Sequence, residues 1–384
     1  WGVQQRAAVA TRFEQAPASW ASAAHERSTR ALDRAAQELS DARTQSCRET
    51  RLLGEQSDEA MDLRMACLRG VEREMLSLVE VLSEADERAL TRASGAAEGL
   101  SLAGDCLNVE RLRQGSAGLP SPDFSGAEAL EQGLARMEAL RRTGQVKVGL
   151  ELADSLAPDL SEGAGLSLRA RFALSHGQLW IAARDKLKSS DTLTHAFALA
   201  TEAGLDATAA DAAVALVRAL GGVGGDLPGA VRWAEGARSF NRKAQGEPAR
   251  EARIENHVGI AFDQANQPER ARPHFERAVE LYVTQFGAND LRVASPLANL
   301  GVSLELQKNY AGSKRAYTRA VATLEAGLGP HHPRVGRVHN NFSGLLQILG
   351  DYELALEHSK RAVEIAQGAL GVGAPGTASA LVNR

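Results

Sequence analysis

The sequence is poor in aromatic residues. Phe, Tyr and Trp make up only 4% of its 384 residues, although 44% of the chain is hydrophobic. Alanine and leucine must therefore supply most of the core, and small side chains of this kind let helices approach each other closely. The length is ample for a folded core.

An excess of basic residues and a long apolar run are also missing. The formal net charge is -4 and the sequence pI is about 6.2, whereas nucleic-acid-binding domains usually show a basic field. The most apolar stretch, "AADAAVALVRALGGVGG", is interrupted by Asp211 and Arg218 and cannot serve as a transmembrane helix. We therefore expect no nucleic acid partner and no membrane span within this chain.

Catalytic motifs are absent as well. The sequence has no H-R-D or D-F-G motif, and the glycine-rich stretch from Gly221 to Gly229 follows a predicted helix and has no lysine nearby. His331, His332 and His339 lie close in sequence, but no acid or cysteine completes a zinc set at useful spacing. We predict no catalytic residue, no cofactor and no metal, and we interpret the first two histidines as a loop and helix start.

What the sequence does contain is an internal repeat with a period of 42 residues. The segment from Asp290 to Gly329 aligns without a gap with the segment from His332 to Gly371. The matched pairs include Val293 with Val335, Asn299 with Asn341, Tyr310 with Tyr352, Arg319 with Arg361 and Ala320 with Ala362. A fixed period of this size predicts a helical repeat array.

Each repeat divides into two helices. In the copy that begins at His332, apolar residues recur every three or four positions as far as Leu349, and Gly350 and Asp351 then predict a turn. A second apolar stripe begins at Tyr352. Such a pair can bury its stripe only by stacking on neighbouring pairs.

From Glu247 onward this pattern resembles the 42-residue tetratricopeptide variant of the kinesin light chain type. The resemblance rests on "VHNNF", "GDY" and "RAVEI" in the copy at His332 and on the linking "LGPHHP". Two positions depart from it: His339 stands where a leucine is usual, and Pro296 lies inside a predicted first helix. The resemblance implies an all-α fold, an α-solenoid of tetratricopeptide repeats over residues 247–384 whose last repeat is truncated.

Upstream, the period becomes weaker. We expect degenerate helical repeats over residues 124–246 and a helical bundle or cap over residues 1–115, with long helices at about 20–53, 57–82 and 85–113. Ser57 and Ser83 are the predicted starts of the second and third of these helices, because serine is a favoured N-cap residue.

The N-terminal part carries a second resemblance. "FEQAPASWA", "CRET", "GEQSDEAMDLRMACL" and "CLNVERLR" look like the region that follows the catalytic domain in large bacterial serine/threonine kinases with tetratricopeptide repeats. The resemblance implies a sensor or scaffold region whose kinase domain, and often a membrane span, precede it, and the start at Trp1 is consistent with a segment of a longer protein. A free adaptor of the kinesin light chain type is the alternative, and an intrinsic enzyme is the weakest reading. The membrane side and the localisation stay open.

The three cysteines allow two interpretations. None forms a C-x-x-C motif, so all three could be thiols in a reducing compartment. Alternatively, Cys47 and Cys67 flank the turn at Gly54 at comparable distances, so that two helices could bring them opposite each other. The kinase-like resemblance favours this candidate disulfide, since it allows an oxidising compartment outside a membrane.

Residues that repeat along the first helices are the candidate ligand-binding groups. Asn299, Asn341 and Asn383 form one ladder, with His257 in the preceding rung, and Arg292 and Arg334 form another, joined by Arg337. Stacked first helices line the concave face of such an array, where amides can bind a peptide backbone and arginines favour acidic side chains or a terminal carboxylate. Alternatively, the asparagines satisfy neighbouring helices and the arginines are solvated.

Overall fold

The structure is a computed structural model that describes residues 1–16, 20–115, 126–160, 162–222 and 225–370, and every regular element in these ranges is helical. The α-helices in chain order are α1 (Val3–Glu14), α2 (Ala21–Arg51), α3 (Asp58–Ser83), α4 (Glu87–Leu90), α5 (Ala93–Glu98), α6 (Val109–Gly115), α7 (Ala127–Thr143), α8 (Val146–Leu156), α9 (Gly165–Ala182), α10 (Lys186–Glu202), α11 (Asp206–Leu220), α12 (Leu227–Lys243), α13 (Pro248–Gln264), α14 (Pro268–Phe286), α15 (Ala294–Leu306), α16 (Tyr310–Leu328), α17 (Pro333–Ile348) and α18 (Tyr352–Leu370).

The predicted all-α fold of packed helix pairs is confirmed. Helices α13 with α14, α15 with α16 and α17 with α18 form the successive pairs of the repeat region, and each pair also packs on the next. Within the described residues, no helix combines the length and hydrophobicity that crossing a membrane requires. The chain divides into two compact units. The first comprises Trp1–Pro17, His25–Ala215 and Ser239–Gln245, and the second Ala18–Ala24, Leu216–Arg238 and the chain from Gly246 onward.

The turns inside the repeats share one backbone conformation. Asn266, Lys308 and Gly350 follow one another at the repeat period and all have positive φ, at 57°, 59° and 77°. The left-handed conformation favours glycine, because other residues bring Cβ close to a carbonyl oxygen. Only the last repeat has the favoured residue, so the turn is imposed by the packing of the helices that flank it.

In two of the repeats, a glycine on the first helix packs against a large aromatic residue on the second helix. A Cβ atom on Gly259 of α13 would lie 2.6 Å from Cε1 of Phe275, and one on Gly301 of α15 would lie 2.6 Å from Cε1 of Tyr317. Both aromatic residues are fully buried. The glycines are therefore needed because they let the second helix approach closely.

The same contact occurs in the upstream unit. Gly177 of α9 faces Leu193 of α10, and an added Cβ would lie 2.6 Å from the leucine side chain. The separation of sixteen residues equals that between Gly301 and Tyr317. The pair α9–α10 therefore has the internal packing of the later repeats, although its sequence lacks their other markers.

Pro296 lies in the first turn of α15, which begins at Ala294 after a 3₁₀ turn at Leu291–Val293. Proline is tolerated there because the first turn of a helix needs no intrahelical N–H donor. Pro296 therefore departs from the repeat pattern without interrupting α15.

The long helix predicted for residues 85–113 is wrong. The segment forms α4, α5, a 3₁₀ turn at Ala103–Leu107 and α6. Gly99 and Gly104 occur within it, and glycine weakens a helix interior. Ser57 caps α3 as predicted, accepting a hydrogen bond from the Ala60 N–H at 3.1 Å, but Ser83 does not start the next helix. Asp86 caps α4 instead, accepting from the Ala89 N–H at 2.8 Å.

The candidate disulfide between Cys47 and Cys67 is also wrong, and so is the alternative that all three cysteines are thiols. Cys67 on α3 is bonded to Cys106 in the 3₁₀ turn, with 5.6 Å between their Cα atoms, and Cys47 is an exposed thiol. Arg64, one turn before Cys67, donates a hydrogen bond to the carbonyl oxygen of Leu107 at 2.9 Å. The broken helix and this contact bring Cys106 to α3, which an unbroken helix over residues 85–113 would not predict.

Candidate functional site: the ladder face of the repeats

The first helices of the repeats, α13, α15 and α17, each carry one accessible face whose residues recur at spacings of three and four. Such residues lie above one another on a helix, and the 42-residue step carries the face from one helix to the next. We call this surface the ladder face. Its residues are Arg250, Arg253, His257, Ile260 and Gln264 on α13, Arg292, Ser295, Asn299, Val302 and Leu306 on or beside α15, and Arg334, Arg337, Asn341, Gly344 and Ile348 on α17.

Accessibility supports this assignment of faces. Among the ladder-face residues only Arg250 is buried, whereas the intervening residues Val335, Val338 and Phe342 belong to the core of the second unit. The structure thus places six of the seven predicted ligand-binding residues on accessible positions of one surface. The seventh, Asn383, lies outside the described residues.

Arg334 and Arg337 are neighbours on α17, and neither guanidinium forms an ion pair with a described residue. Burial and the charge of Arg337 lower the pKa of Arg334 to about 10. Desolvation also lowers the pKa of Arg337. Both arginines remain charged at neutral pH. The N-terminal part of α17 therefore presents two positive charges without a countercharge from the described protein.

Arg292, the equivalent of Arg334 one repeat earlier, is engaged within the protein. Its Nε donates to Asp290 at 2.9 Å, and its guanidinium lies 3.4 Å from the centre of the Phe286 ring. The arginine ladder is therefore uneven. The available charge is at Arg334 and Arg337, while Arg292 is held by an acid and an aromatic ring.

The asparagine ladder is uneven in the same way. The side-chain amide of Asn299 donates to the side-chain oxygen of Asn256 on α13 at 3.0 Å, so this residue joins two neighbouring first helices. The side chain of Asn341 forms no hydrogen bond with the described residues and is partly accessible. Asn299 thus shows the structural role that the sequence left open, and Asn341 is the asparagine that is available to a ligand.

His257, the first residue of the asparagine ladder, is neutral at physiological pH. Burial, followed by the charges of Arg218 and Arg253, lowers the pKa of His257 to about 3. Its Nδ1 atom is buried and has no hydrogen-bond partner among the described residues. The ring therefore adds a neutral polar group, rather than a charge, to the ladder face at physiological pH.

His332 and His339, at the start and in the middle of α17, make different contacts. His332 caps α17, and its side chain accepts a hydrogen bond from the Arg334 N–H at 3.1 Å. His339 faces away from the ladder face and contacts His358 of α18. Within the described part of the chain, no group of three or more His, Cys, Asp or Glu side chains is arranged to hold a metal ion.

The sequence also has a recognisable family signature in this region. Residues 292–368 match the profile of the tetratricopeptide repeat family. This part of the chain is similar to tetratricopeptide repeats. The match spans α15 to α18 and thus includes the part of the ladder face with the two unpaired arginines. A comparison with curated protein sequences gives no match.

Solved structures with similar folds extend beyond the matched repeats. A Rap protein complexed with competence and sporulation factor is 13% identical, with a TM-score of 0.54, and the alignment covers 82% of this chain and 78% of that one. NprR in complex with its cognate peptide NprX is 14% identical, with a TM-score of 0.50 and coverages of 67% and 72%. The apo form of RapI is 12% identical, with a TM-score of 0.50 and coverages of 85% and 80%. At these identities the likeness is one of fold.

Several ladder-face residues were missed in the sequence. Gly344 and Ile348 were not predicted, because the predicted ladders contain only polar residues that recur along the repeat. Applying the 42-residue step to every accessible position of the first helix, whatever its residue type, identifies Ile348 as the equivalent of Leu306. The contact of Asn299 with Asn256 has no equivalent at Asn341, because Ala298 occupies the position of Asn256 one repeat later and alanine has no side-chain acceptor.

Proposed function

We propose that this chain is a non-catalytic module that recognises a protein or peptide on its ladder face. The ligand lies along α13, α15 and α17, and an acidic group of the ligand binds Arg334 and Arg337. Asn341, next on the same face, hydrogen-bonds to the ligand's backbone.

The unpaired arginine pair is the observation that carries this proposal. Two guanidinium groups at adjacent positions of one face repel each other, and both are partly desolvated. A carboxylate would relieve the repulsion and form charge-assisted hydrogen bonds, which are roughly twice as strong as neutral ones. A structural role does not account for the pair, because no described acid neutralises it.

The structural relatives support a peptide as the ligand class. The Rap structure is that of a complex with competence and sporulation factor, and the NprR structure is that of a complex with a cognate peptide. Their likeness to this chain lies in the fold alone. The ligand chemistry proposed here comes from the arginines and asparagines of this sequence.

We further propose that the module is the sensor or scaffold region of a bacterial serine/threonine kinase. This context is supported by the motifs near the N-terminus, such as "GEQSDEAMDLRMACL". A free adaptor of the kinesin light chain type is the second candidate. Sequencing the gene upstream of the codon for Trp1 separates them: kinase motifs there support the first candidate, and a start codon without them supports the adaptor.

A pull-down from lysate of the source cells tests recognition by the ladder face. The bait proteins are the parent chain, the double variant Arg337→Ala with Asn341→Ala, and the control Arg315→Ala, which removes an exposed arginine of α16 outside the ladder face. We expect the double variant to lose a protein that the parent and the control both retain. Circular dichroism and thermal melting of all three baits establish that folding is unchanged.

Two results would contradict the proposal. The double variant could capture the same proteins as the parent while folded, or the control could lose the ligand equally. In either case the ladder face is not the recognition surface. Asn299 is left unchanged in the test because replacing it would leave the buried Asn256 without its partner.

A further inference from the structure

The ladder face changes its chemistry along the helices. On α17 the first accessible residues are Arg334 and Arg337, the middle ones are Asn341 and Gly344, and the last is Ile348. The side chain of Ile348 is 55% exposed. The face therefore runs from cationic at the start of the helix to aliphatic at its end.

The neighbouring first helix repeats the aliphatic end. Leu306 stands one repeat before Ile348 and is 51% exposed, and the partly exposed Val302 precedes it on the same face of α15. Isolated exposed aliphatic residues are common and need no explanation. Here, however, two of them occupy equivalent positions of adjacent first helices and lie on the same face, and we call them the aliphatic strip.

The centre of the face is open. A Cβ atom added to Gly344 would have no heavy atom of the described residues within 4 Å, whereas one added to Gly301 would lie 2.6 Å from the Tyr317 ring. Gly344 therefore has no packing partner that explains the absence of a side chain. It leaves room for a ligand between the arginines and Ile348, and the accessible amide of Asn341 lies beside that space.

From this polarity we infer that the ligand is an amphipathic peptide segment. It carries a carboxylate that binds Arg334 and Arg337 and a large apolar side chain that packs on Leu306 and Ile348. The inference rests on the proposed recognition of a peptide and adds the order and spacing of its two anchors. Charge complementarity with the two arginines favours an acidic residue at one end of the peptide. Burial of the aliphatic strip favours an apolar residue at its other end.

The helix geometry sets the distance between the anchors. Arg337 and Ile348 are eleven positions apart, which corresponds to about 16 Å along α17. An extended peptide covers about 3.3 Å per residue, so the acidic and apolar residues of the ligand should be about five positions apart. A ligand bound as a helix would need about eleven positions.

The test uses phage-displayed random dodecapeptides selected against the full chain. Enriched peptides are synthesised with a fluorescent label, and their Kd values are measured by anisotropy for the parent, Gly344→Leu, Arg337→Ala, Ile348→Ala and the controls Arg315→Ala and Leu187→Ala. Leu187 is an exposed leucine of α10 outside the ladder face. Gly344→Leu fills the open centre and is expected to leave folding intact, because leucine is a better helix former than glycine.

We expect peptides whose binding is weakened at least tenfold by Gly344→Leu and unaffected by both controls. These peptides should contain an acidic and a large apolar residue about five positions apart when they bind in an extended form. Arg337→Ala should weaken binding at least tenfold, and Ile348→Ala several-fold. Replacing the acidic residue of the peptide by its amide should remove the effect of Arg337→Ala.

The outcomes separate this inference from the proposed function. Peptides that depend on Gly344 but lack the paired acidic and apolar residues would overturn the amphipathic ligand and leave peptide recognition intact. Selection that yields no peptide sensitive to Gly344→Leu, with the variant folded by circular dichroism, would contradict peptide binding at the ladder face itself.

Discussion

The Nδ1 atoms of His339 and His358 lie 2.6 Å apart, joining α17 to α18. At this distance one ring donates its N–H to the lone pair of the other. At least one of the two rings must therefore be neutral, because two protonated rings would direct two N–H groups at each other. The packing of the last described helix pair depends on the charge state of these imidazoles.

The residues at the two positions of this contact differ from one repeat to the next. Two repeats earlier the same two positions hold Glu255 and His274, whose carboxylate oxygen and Nδ1 are also 2.6 Å apart. In the repeat between them the positions hold Leu297 and Ala316, both buried. One place in the helix pair is thus filled by an acid with a histidine, by two apolar residues, or by two histidines.

The chain should lose stability as the pH falls from neutral. Burial, then the charges of His358 and Arg361, lowers the pKa of His339 to about 4, and burial also lowers the pKa of His358. Below pH 6.5, the ordinary histidine pKa, the unfolded chain takes up protons that the folded chain does not, so the free energy of unfolding falls until the pH reaches about 4.

Charges around the pair modulate this loss. Glu325 of α16 lies 3.6 Å from Nε2 of His339. Glu357 raises the pKa of His358, and Lys314 lowers it. The adjoining cavity, about 320 Å³ in volume, is lined by Glu325, His339, Glu357, His358, Lys360, Arg361 and Glu364. Glu357 only partly offsets the effect of burial on His358, and burial is the first cause of both lowered pKa values.

The double variant His339→Leu with His358→Ala measures the effect, because it installs the pair found at the middle repeat. Urea unfolding between pH 7 and pH 4 should show a smaller loss for the variant, with a difference on the order of 1–3 kcal/mol. Comparison with the parent is needed because other groups titrate in the same range, among them Asp263, whose pKa burial raises to about 6. Equal losses in the two proteins would disprove the role of the pair.

Two glycines on first helices should respond oppositely to alanine. Gly301→Ala places a Cβ atom 2.6 Å from the ring of the fully buried Tyr317, and the resulting displacement should destabilise the protein by about 1–3 kcal/mol. Gly344→Ala meets open space and should stabilise the helix by about 0.5–1 kcal/mol. Urea denaturation of both variants checks the prediction, which is wrong if they shift the midpoint in the same direction.

Removal of the disulfide should destabilise the first unit. Cys67 and Cys106 are 39 residues apart, and a loop of this size corresponds to about 3–4 kcal/mol in the chain-entropy model. Cys106→Ser should therefore lower the melting temperature of the oxidised protein, whereas Cys47→Ser should not. Thiol labelling in denaturant without reductant should modify Cys47 alone; modification of all three cysteines would show that the bond is absent.

The unpaired arginine should contribute little to folding, in contrast to a paired one. Arg337→Gln removes a charge that repels Arg334, so the free energy of unfolding should be unchanged or slightly higher. Arg64→Gln removes the guanidinium that donates to Glu49 and to the carbonyl oxygen of Leu107, so that Glu49 keeps only its hydrogen bond from Gln45, and a loss of about 1–3 kcal/mol is expected. A comparable loss in both variants, measured by urea unfolding, would mean that Arg337 has a structural role.

The repeat region could be predicted from the sequence because its determinants are local and periodic. The turn at Gly350, the helix start at His332 and the equivalence of Asn299 with Asn341 all follow from a step of 42 residues. The region from Ala85 to Cys106 could not be predicted equally well. Its broken helix follows from contacts such as Arg64 with Leu107, which join residues far apart in the chain.

By itself, the sequence determined the all-helical fold, the period of the repeats and the rows of residues that share a face, because side-chain spacing along a helix fixes which residues are neighbours. The tertiary structure alone decided which of those residues are free. Asn299 bonds to Asn256 and Arg292 to Asp290, while the side chains of Asn341, Arg334 and Arg337 have no such partners in the part of the chain that the structure describes. The reason is that hydrogen bonds and ion pairs depend on which side chains packing brings together, and equivalent positions in a repeat meet different neighbours.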